Sequence, residues 1–449
     1  MTHTYEELLE KNRKYLWNPF TQMKTYLADE PLIIASGQGV KVTDARGKEY
    51  YDANASVWLN PHGHNRQELN DAIIEQLGQI AHSTLLGSAN IPALLLAERL
   101  VQITPERLQK VFYSDSGAAS VEIGLKMAYQ YWNNKGRPEK CTLLTMKNAY
   151  HGDTVGAVSV GGIDGFHKTF EKLLFHTEKV SYPYPYRFNG TAEECVQACL
   201  TELEQKLIEK ADQIAGMIIE PMVQGAGGMI MMPAGFLKQV EALCRKYDVL
   251  MLVDEVATGF GRTGKMFACE HDGVQPDIMM VGKKLTGGYL PVAVTLTSDE
   301  VYDAFYGEHR ERKTFYHGHS YTGNQLGCAV ALASLDIYEK DQTVAHVQRM
   351  SEAIKPLLQE IETLDHVGEV RQLGLMIGIE LVADKASRRM YDWMEARGAS
   401  VCRRAVDLGL LTRPLDDVVT FMPPLVSTQE ELTDMLRILR QAIQEVTEP

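Results

Sequence analysis

Between Asn65 and about Leu326 the chain alternates short apolar runs with longer amphipathic stretches. The runs are KVFYSD, CTLLTM, IAGMIIEP, VLMLVDE, PDIMMVG and VAVTLT, each rich in Val, Ile, Leu or Met at successive positions. Strands with no polar alternation are buried on both faces, and helices between them predict a mainly parallel sheet covered on both sides. Ahead of this region, Leu8, Leu9, Leu16 and Trp17 predict a short amphipathic helix from about Glu6 to Trp17, broken by the proline of WNPF. PLIIASGQGVKVTDARGKEYYDA then reads as two short β-rich runs divided by Gly-containing turns, a small antiparallel meander. After Asn324 come a long helix over GCAVALASLDIYEK, β-rich MIGIELVA and VVTFMPP, and a closing helix over EELTDMLRILRQAIQEV. The expected organisation is an N-terminal arm with part of a small domain (1–64), a large α/β domain (65–326) and a small α+β domain (327–449). No repeat of solenoid period and no low-complexity tract interrupts it.

Composition narrows the class of ligand. With 449 residues, 45% hydrophobic and 23% charged, the chain has ordinary globular usage. A formal net charge of −14 argues against a sequence-independent grip on nucleic acid, which needs clustered Lys and Arg to displace counterions. A small-molecule ligand is expected instead. The seven cysteines are odd in number, scattered and without a C-x-x-C pair, the usage of reduced thiols in a reducing compartment. The N-terminus mixes acids and bases where a signal peptide needs an apolar stretch, and no run reaches membrane-spanning length. A cytoplasmic protein without membrane contact is expected.

Two of the buried runs end in chemistry. Asp254 closes VLMLVD, and Lys283 follows PDIMMVG 29 positions later. Ligands of open α/β sheets bind outside the carboxyl ends of strands. An acid and a lysine there meet the needs of pyridoxal phosphate: the carboxylate keeps the ring nitrogen protonated and the lysine forms a Schiff base. Ser116, Gly117 and Ala118 follow the strand-like KVFY and open a helix, where free N–H groups and the helix dipole suit a phosphate. The same residues suit an ordinary Ser/Asp cap, and the sequence leaves both readings open. Tyr150, with His151 beside it, follows CTLLTM, placed either to lay its ring on the cofactor or to pack in the core. Glu220 ends another apolar strand, where it can support the ring-binding carboxylate. The triplets His62-Gly63-His64 and His317-Gly318-His319 lack the spacing and the neighbouring acid or cysteine of a metal site, so no metal is expected.

The stretches SDSGAASVEIGLKMAYQYW, AYHGDTVGAVSV, EPMVQGAGGM, VDEVATGFGRTGKMFACEH, GKKLTGG and HGHSYTGNQLGCAVA, in this order, resemble the class III aminotransferases of pyridoxal phosphate fold type I. The resemblance implies that fold, with Lys283 as the Schiff-base lysine and Asp254 as partner of the pyridine nitrogen. It implies Tyr150 stacked on the ring, Val256 on the opposite face, and Gly117 with Ala118 at the phosphate. It further implies a homodimer in which His319 and Ser320 of one subunit reach the other subunit's phosphate. WNPFTQM, SVWLNPHGH, KMAYQYW and TRP…FMPP are similar to the biotin-biosynthesis branch of the family. That similarity implies 8-amino-7-oxononanoate as amino acceptor, surrounded by Trp58, Tyr150, Gly318 and Arg413, with Phe20 and Trp58 along its apolar stem. Arg413 suits a carboxylate because a guanidinium pairs with it in two-pronged geometry, although a structural pair with Asp416 or Asp417 uses the same chemistry. The amino donor is S-adenosylmethionine or L-lysine, in a ping-pong cycle through pyridoxamine phosphate. Phe20 stands where users of S-adenosylmethionine commonly have tyrosine, which points towards lysine. His319-Ser320 replaces a frequent Pro-Thr, Ala119 a frequent glutamate, and Lys284 the usual small residue after the lysine. The rival within the family is an aminotransferase of ω-amino acids or simple amines.

Overall fold

The computed structural model describes residues 3–448. Its strands run in chain order as β1 (Ile34–Gln38), β2 (Lys41–Asp44), β3 (Glu49–Asp52), β4 (Leu108–Ser114), β5 (Thr142–Met146), β6 (Thr177–Val180) and β7 (Ile214–Ile219). A two-stranded hairpin of β8 (Val223–Gln224) and β9 (Ile230–Met231) precedes β10 (Leu250–Asp254), β11 (Ile278–Val281) and β12 (Ala293–Ser298). The C-terminal part adds β13 (Val367–Leu373), β14 (Met376–Leu381), β15 (Leu410–Leu411), β16 (Pro414–Leu415) and β17 (Val418–Phe421).

Seven strands form the main sheet in the order β4-β12-β11-β10-β7-β5-β6. All neighbours pair parallel except β12, which runs antiparallel to β4 and β11. Every residue of β7, β10, β11 and β12 is buried, as expected of strands covered on both faces. The helix Gly117–Asn134 lays Val121, Leu125, Ala128 and Trp132 on one face of the sheet, and the Trp132 indole N–H donates to the carbonyl of Ala215 at 2.7 Å. The expected α/β class is the one observed. Because β4, β5, β7, β10 and β11 share a direction, the residues that follow their last positions gather along one edge.

Two smaller sheets flank the main one. The N-terminal meander has three strands rather than two runs, and β15 joins it, pairing parallel with Tyr51 and Asp52 of β3. The first and last parts of the chain therefore share a sheet. The second, β13-β14-β17-β16, is antiparallel. The arm helix spans Tyr5–Tyr15, ending two residues before the pattern suggests, and Trp17 beyond it is 86% exposed. β6, an edge strand reading TEKV, gave no apolar run because three of its four residues are polar. No described helix is long and apolar enough to cross a membrane.

Candidate active site

A cavity of about 470 Å³ lies outside the carboxyl ends of the central strands. Asp254, the last residue of β10, is 5% exposed and lines it. Its Oδ1 accepts the N–H of Val256 at 3.0 Å, and its Oδ2 lies 2.7 Å from Nδ1 of buried His151. Those two contacts fix the carboxylate's orientation. Glu220, directly after β7, accepts the N–H of Tyr150 at 3.1 Å with Oε2 and that of Gly225 at 3.0 Å with Oε1. Burial pushes its carboxyl up to about 7, aided by the nearby charge of Asp254 and opposed by His151.

Lys283 follows β11 by two residues and lines the cavity. Its φ is +45°, a left-handed conformation that costs energy at a non-glycine residue, and such strain concentrates at functional positions. Burial lowers the pKa of its amine, while Asp254 and Glu220 act in the other direction. Nζ lies 5.4 Å from the centroid of the Trp58 ring. Lys284 has no exposure and donates from Nζ to the carbonyl of Ala257 at 2.8 Å; burial holds its pKa well below the ordinary lysine value. Of the two lysines, Lys283 is the one that opens on the cavity.

Ser116 does both things considered for it. It lines the cavity, and its Oγ accepts the N–H of Ala119 at 3.2 Å as cap of the helix Gly117–Asn134. The N–H groups of Gly117 and Ala118 have no acceptor among the described residues, at the positive end of an 18-residue helix. Val256 packs so closely that a Cβ on Gly117 would sit 2.6 Å from its Cγ1, and a Cβ on Gly152 would collide with that of Ala118. The backbone at this corner is bare by necessity. Tyr150 lines the same cavity; its hydroxyl donates to Oδ2 of Asp153 at 2.8 Å, and burial raises its pKa.

The remaining candidates stand further out. Arg413 does not line the cavity, yet its charge acts on both Tyr150 and Lys283. Burial lowers its pKa, and neither Asp416 nor Asp417 is among the groups that act on it; Asp417 accepts the N–H of Gly398 instead. Among the described residues the guanidinium has no ion pair. Phe20, 59% exposed, touches Phe166 edge-on at 5.5 Å, and Phe166 meets the Tyr150 ring at 6.3 Å. His319 lies with Nδ1 3.1 Å from Asp115, and the carbonyl of Ser320 accepts from His82. With Gly318, these two lie outside the cavity lining of the single chain. His62 bonds to Ser334 and His64 to Asp52.

Sequence reading gave Asp153, Thr154, Ala226 and Ala257 no role, although all four line the cavity. The Asp153 acid was visible in Y-H-G-D, but nothing in the sequence tied it to the tyrosine hydroxyl. Partnership of His151 with Asp254 spans 103 positions and left no local signal.

A seven-stranded sheet thus delivers a lysine, an aspartate and an open helix start to one cavity. Residues 25–443 match the aminotransferase class-III family, and the chain belongs to it. An Anoxybacillus flavithermus protein named adenosylmethionine-8-amino-7-oxononanoate aminotransferase is 54% identical over 443 residues, 98% of this chain and 97% of its own. The crystal structure of the Methanocaldococcus jannaschii protein of the same name is similar at a TM-score of 0.93 and 43% identity, covering 98% of this chain and 99% of that one. The ω-transaminase of Pseudomonas jessenii, solved in complex with PMP, reaches a TM-score of 0.94 at 33% identity over 98% of both chains.

Proposed function

We propose that this enzyme transfers an amino group to 8-amino-7-oxononanoate, giving 7,8-diaminononanoate in biotin biosynthesis, with pyridoxal 5'-phosphate as cofactor. The relatives' names support the acceptor, and one structural observation carries it: a half-buried guanidinium, Arg413, has no carboxylate of its own among the described residues, and its charge acts on Lys283 in the cavity. The acceptor brings a carboxylate on an apolar stem, and a partly desolvated guanidinium without a partner gains when a carboxylate arrives.

The residues present fit the cofactor. When bound, pyridoxal phosphate supplies an aldehyde that exchanges nitrogen with amines and a ring that takes up the electrons released at the substrate carbon. The free N–H groups of Gly117 and Ala118, with Ser116, hold the phosphate. Asp254, oriented by His151 and the N–H of Val256, keeps a proton on the ring nitrogen. Tyr150 and Val256, which line the cavity, would hold the ring, and Glu220, keeping its own proton through most of the acidic range, accepts the Tyr150 N–H and so positions that residue. Lys283 is the covalent attachment point. Its lowered pKa enriches the neutral amine, whose Nζ would take the proton from the donor's α-carbon and deliver it to the cofactor carbon that keeps the nitrogen, the reverse transfer serving the acceptor. Trp58 and Phe20 line the stem and keep water out. His319 and Ser320 serve the phosphate of the partner subunit, which makes the working unit a homodimer. The same reading divides the chain near residues 64 and 326 and keeps it in the cytoplasm, consistent with its seven free cysteines.

Two donors are separable by one experiment. The yellow enzyme is mixed with S-adenosylmethionine or with L-lysine, and loss of the bound cofactor's absorbance identifies the donor; the relatives' names favour the first and the missing hydroxyl at Phe20 the second. The aminated enzyme is then offered 8-amino-7-oxononanoate at low concentration. Recovery of absorbance is expected. Recovery with simple aldehydes or keto acids alone would favour the second reading, an ω-amino acid or amine aminotransferase like the Pseudomonas jessenii enzyme.

A further inference from the structure

The turn that carries Trp58 uses backbone that residues with side chains avoid. Ala55, Ser56, Val57 and Trp58 have φ of 44°, 49°, 65° and 70°, four consecutive non-glycine residues in a left-handed turn. Each is sterically disfavoured relative to the right-handed form, because Cβ crowds the following carbonyl oxygen. The turn's own hydrogen bonds are few: Trp58 N–H to Asn54 at 2.8 Å, and Leu59 and Asn60 N–H to Ala55 at 2.9 and 3.0 Å. Something outside it must hold the conformation.

Asp52, the buried last residue of β3, stands at its base. Its Oδ1 accepts the N–H of Asn54 at 3.2 Å; its Oδ2 accepts the N–H of Ser56 at 3.0 Å and lies 3.4 Å from the Ser56 hydroxyl. The same Oδ2 is 2.9 Å from Nε2 of His64. His64 is itself pinned, exchanging both backbone hydrogen bonds with Gly39 at 2.7 and 3.0 Å, and its ring fills the space where a Cβ on Gly37 would be, 2.8 Å from Cγ. At the far end of the turn the Trp58 indole, 5% exposed, rests against Gly225, where an added Cβ would lie 3.2 Å from Cζ3. Gly225 donates to Glu220, and the ring lies beneath Nζ of Lys283. A strained turn thus runs from a histidine–aspartate pair to the catalytic cavity.

We propose that His64 and Asp52 are positioning residues: they hold the left-handed turn Ala55–Trp58 closed and thereby fix the Trp58 ring against Lys283 and the path of the acceptor's stem. The proposal rests on the acceptor-binding reading of the cavity only for its kinetic consequence; the position of the ring is a separate observable. Strain persists where surrounding contacts over-determine it, and here those contacts are few enough to remove one at a time.

The test uses Asp52→Ala, Val57→Gly and the double variant. Val57 is 44% exposed, and glycine adopts positive φ without steric cost, so it lowers the strain that Asp52 opposes. The chain has four tryptophans, so the indole N–H spectrum of the ¹⁵N-labelled holoenzyme holds four signals, and Trp58→Phe assigns one. In Asp52→Ala the Trp58 signal shifts or broadens while those of Trp17, Trp132 and Trp393 stay. KM for the acceptor rises about tenfold while kcat changes less than about threefold. Adding Val57→Gly returns the signal and brings KM to within about threefold of the parent. An Asp52→Ala protein with the parent's signal and KM, or a loss that glycine does not reverse, overturns the proposal. Should Asp52→Ala fail to fold, His64→Ala carries the same test, with His64→Gln, which keeps a donor for Oδ2, expected to retain the parent's signal. A parent that never uses the acceptor refutes the functional reading alone, because the indole signals still report the turn.

Discussion

Lys283 and Lys284 are covalent neighbours in opposite surroundings, and replacing each in turn separates them. Lys283→Ala is expected to lose covalent cofactor and turnover with its fold intact. Lys284→Met should keep both and lose about 1–3 kcal/mol of stability in urea, since the carbonyl of Ala257 is left without its donor. Sequence spacing could not choose between them; in the structure Lys283 lines the cavity and Lys284 does not. Glu220 gives a second residue-scale outcome. Its carboxyl titrates near 7 when folded, against an ordinary value of 4.5, so the folded apoprotein binds the extra proton between those values. Its contribution to stability is therefore full below about pH 4.5 and is lost as pH rises to about 7, by up to roughly 3 kcal/mol. Urea titrations of the apoprotein across this window should show that decline, and Glu220→Ala should lack it. For Arg413→Leu, KM for 8-amino-7-oxononanoate should rise at least about tenfold, with the reactivity of simple amines spared. Equal losses for both substrates would remove Arg413 from acceptor binding.

At the scale of elements, the chemistry depends on where strands stop and one helix starts. Each of the six apolar runs became a strand of the main sheet; five are interior strands whose burial on both faces leaves a signature that needs no neighbour to be read, and the sixth, β4, is an edge strand exposed at Gln109 and Lys110. Asp254 and Lys283 were legible for the same reason: each is the polar residue that ends such a run. The TEKV strand was not, since three of its four residues are polar: Lys179 meets solvent, and buried Glu178 is held by Lys206 and Lys210 from a helix the sequence does not place beside it. Nor was the left-handed turn at Ala55–Trp58, whose residues lack the glycines that usually mark positive φ and whose conformation is held by Asp52 from outside. The helix start at Ser116 carries an element-scale prediction. Gly117→Ala would drive a methyl into Val256, so cofactor affinity should fall sharply while the rest of the helix, capped by Ser116, stays formed. Equilibrium dialysis against pyridoxal phosphate measures the first, and circular dichroism the second.

For the whole molecule, several apolar side chains stand exposed in the single chain, among them Leu86 at 91%, Ile91, Leu94 and Tyr321. Isolated exposed apolar residues are ordinary, but their grouping around the segments that carry His82, His319 and Ser320 is what a shared interface requires. Sedimentation equilibrium is expected to give about twice 50.3 kDa, and mixing inactive Lys283→Ala with inactive Ser320→Asp chains should restore part of the activity by joining complementary sites. The most direct test of the account concerns one bond. Borohydride reduction of the purified yellow enzyme, followed by digestion and mass spectrometry, should place the reduced cofactor on Nζ of Lys283. A label on Lys284, on another lysine, or on none would contradict the site described here.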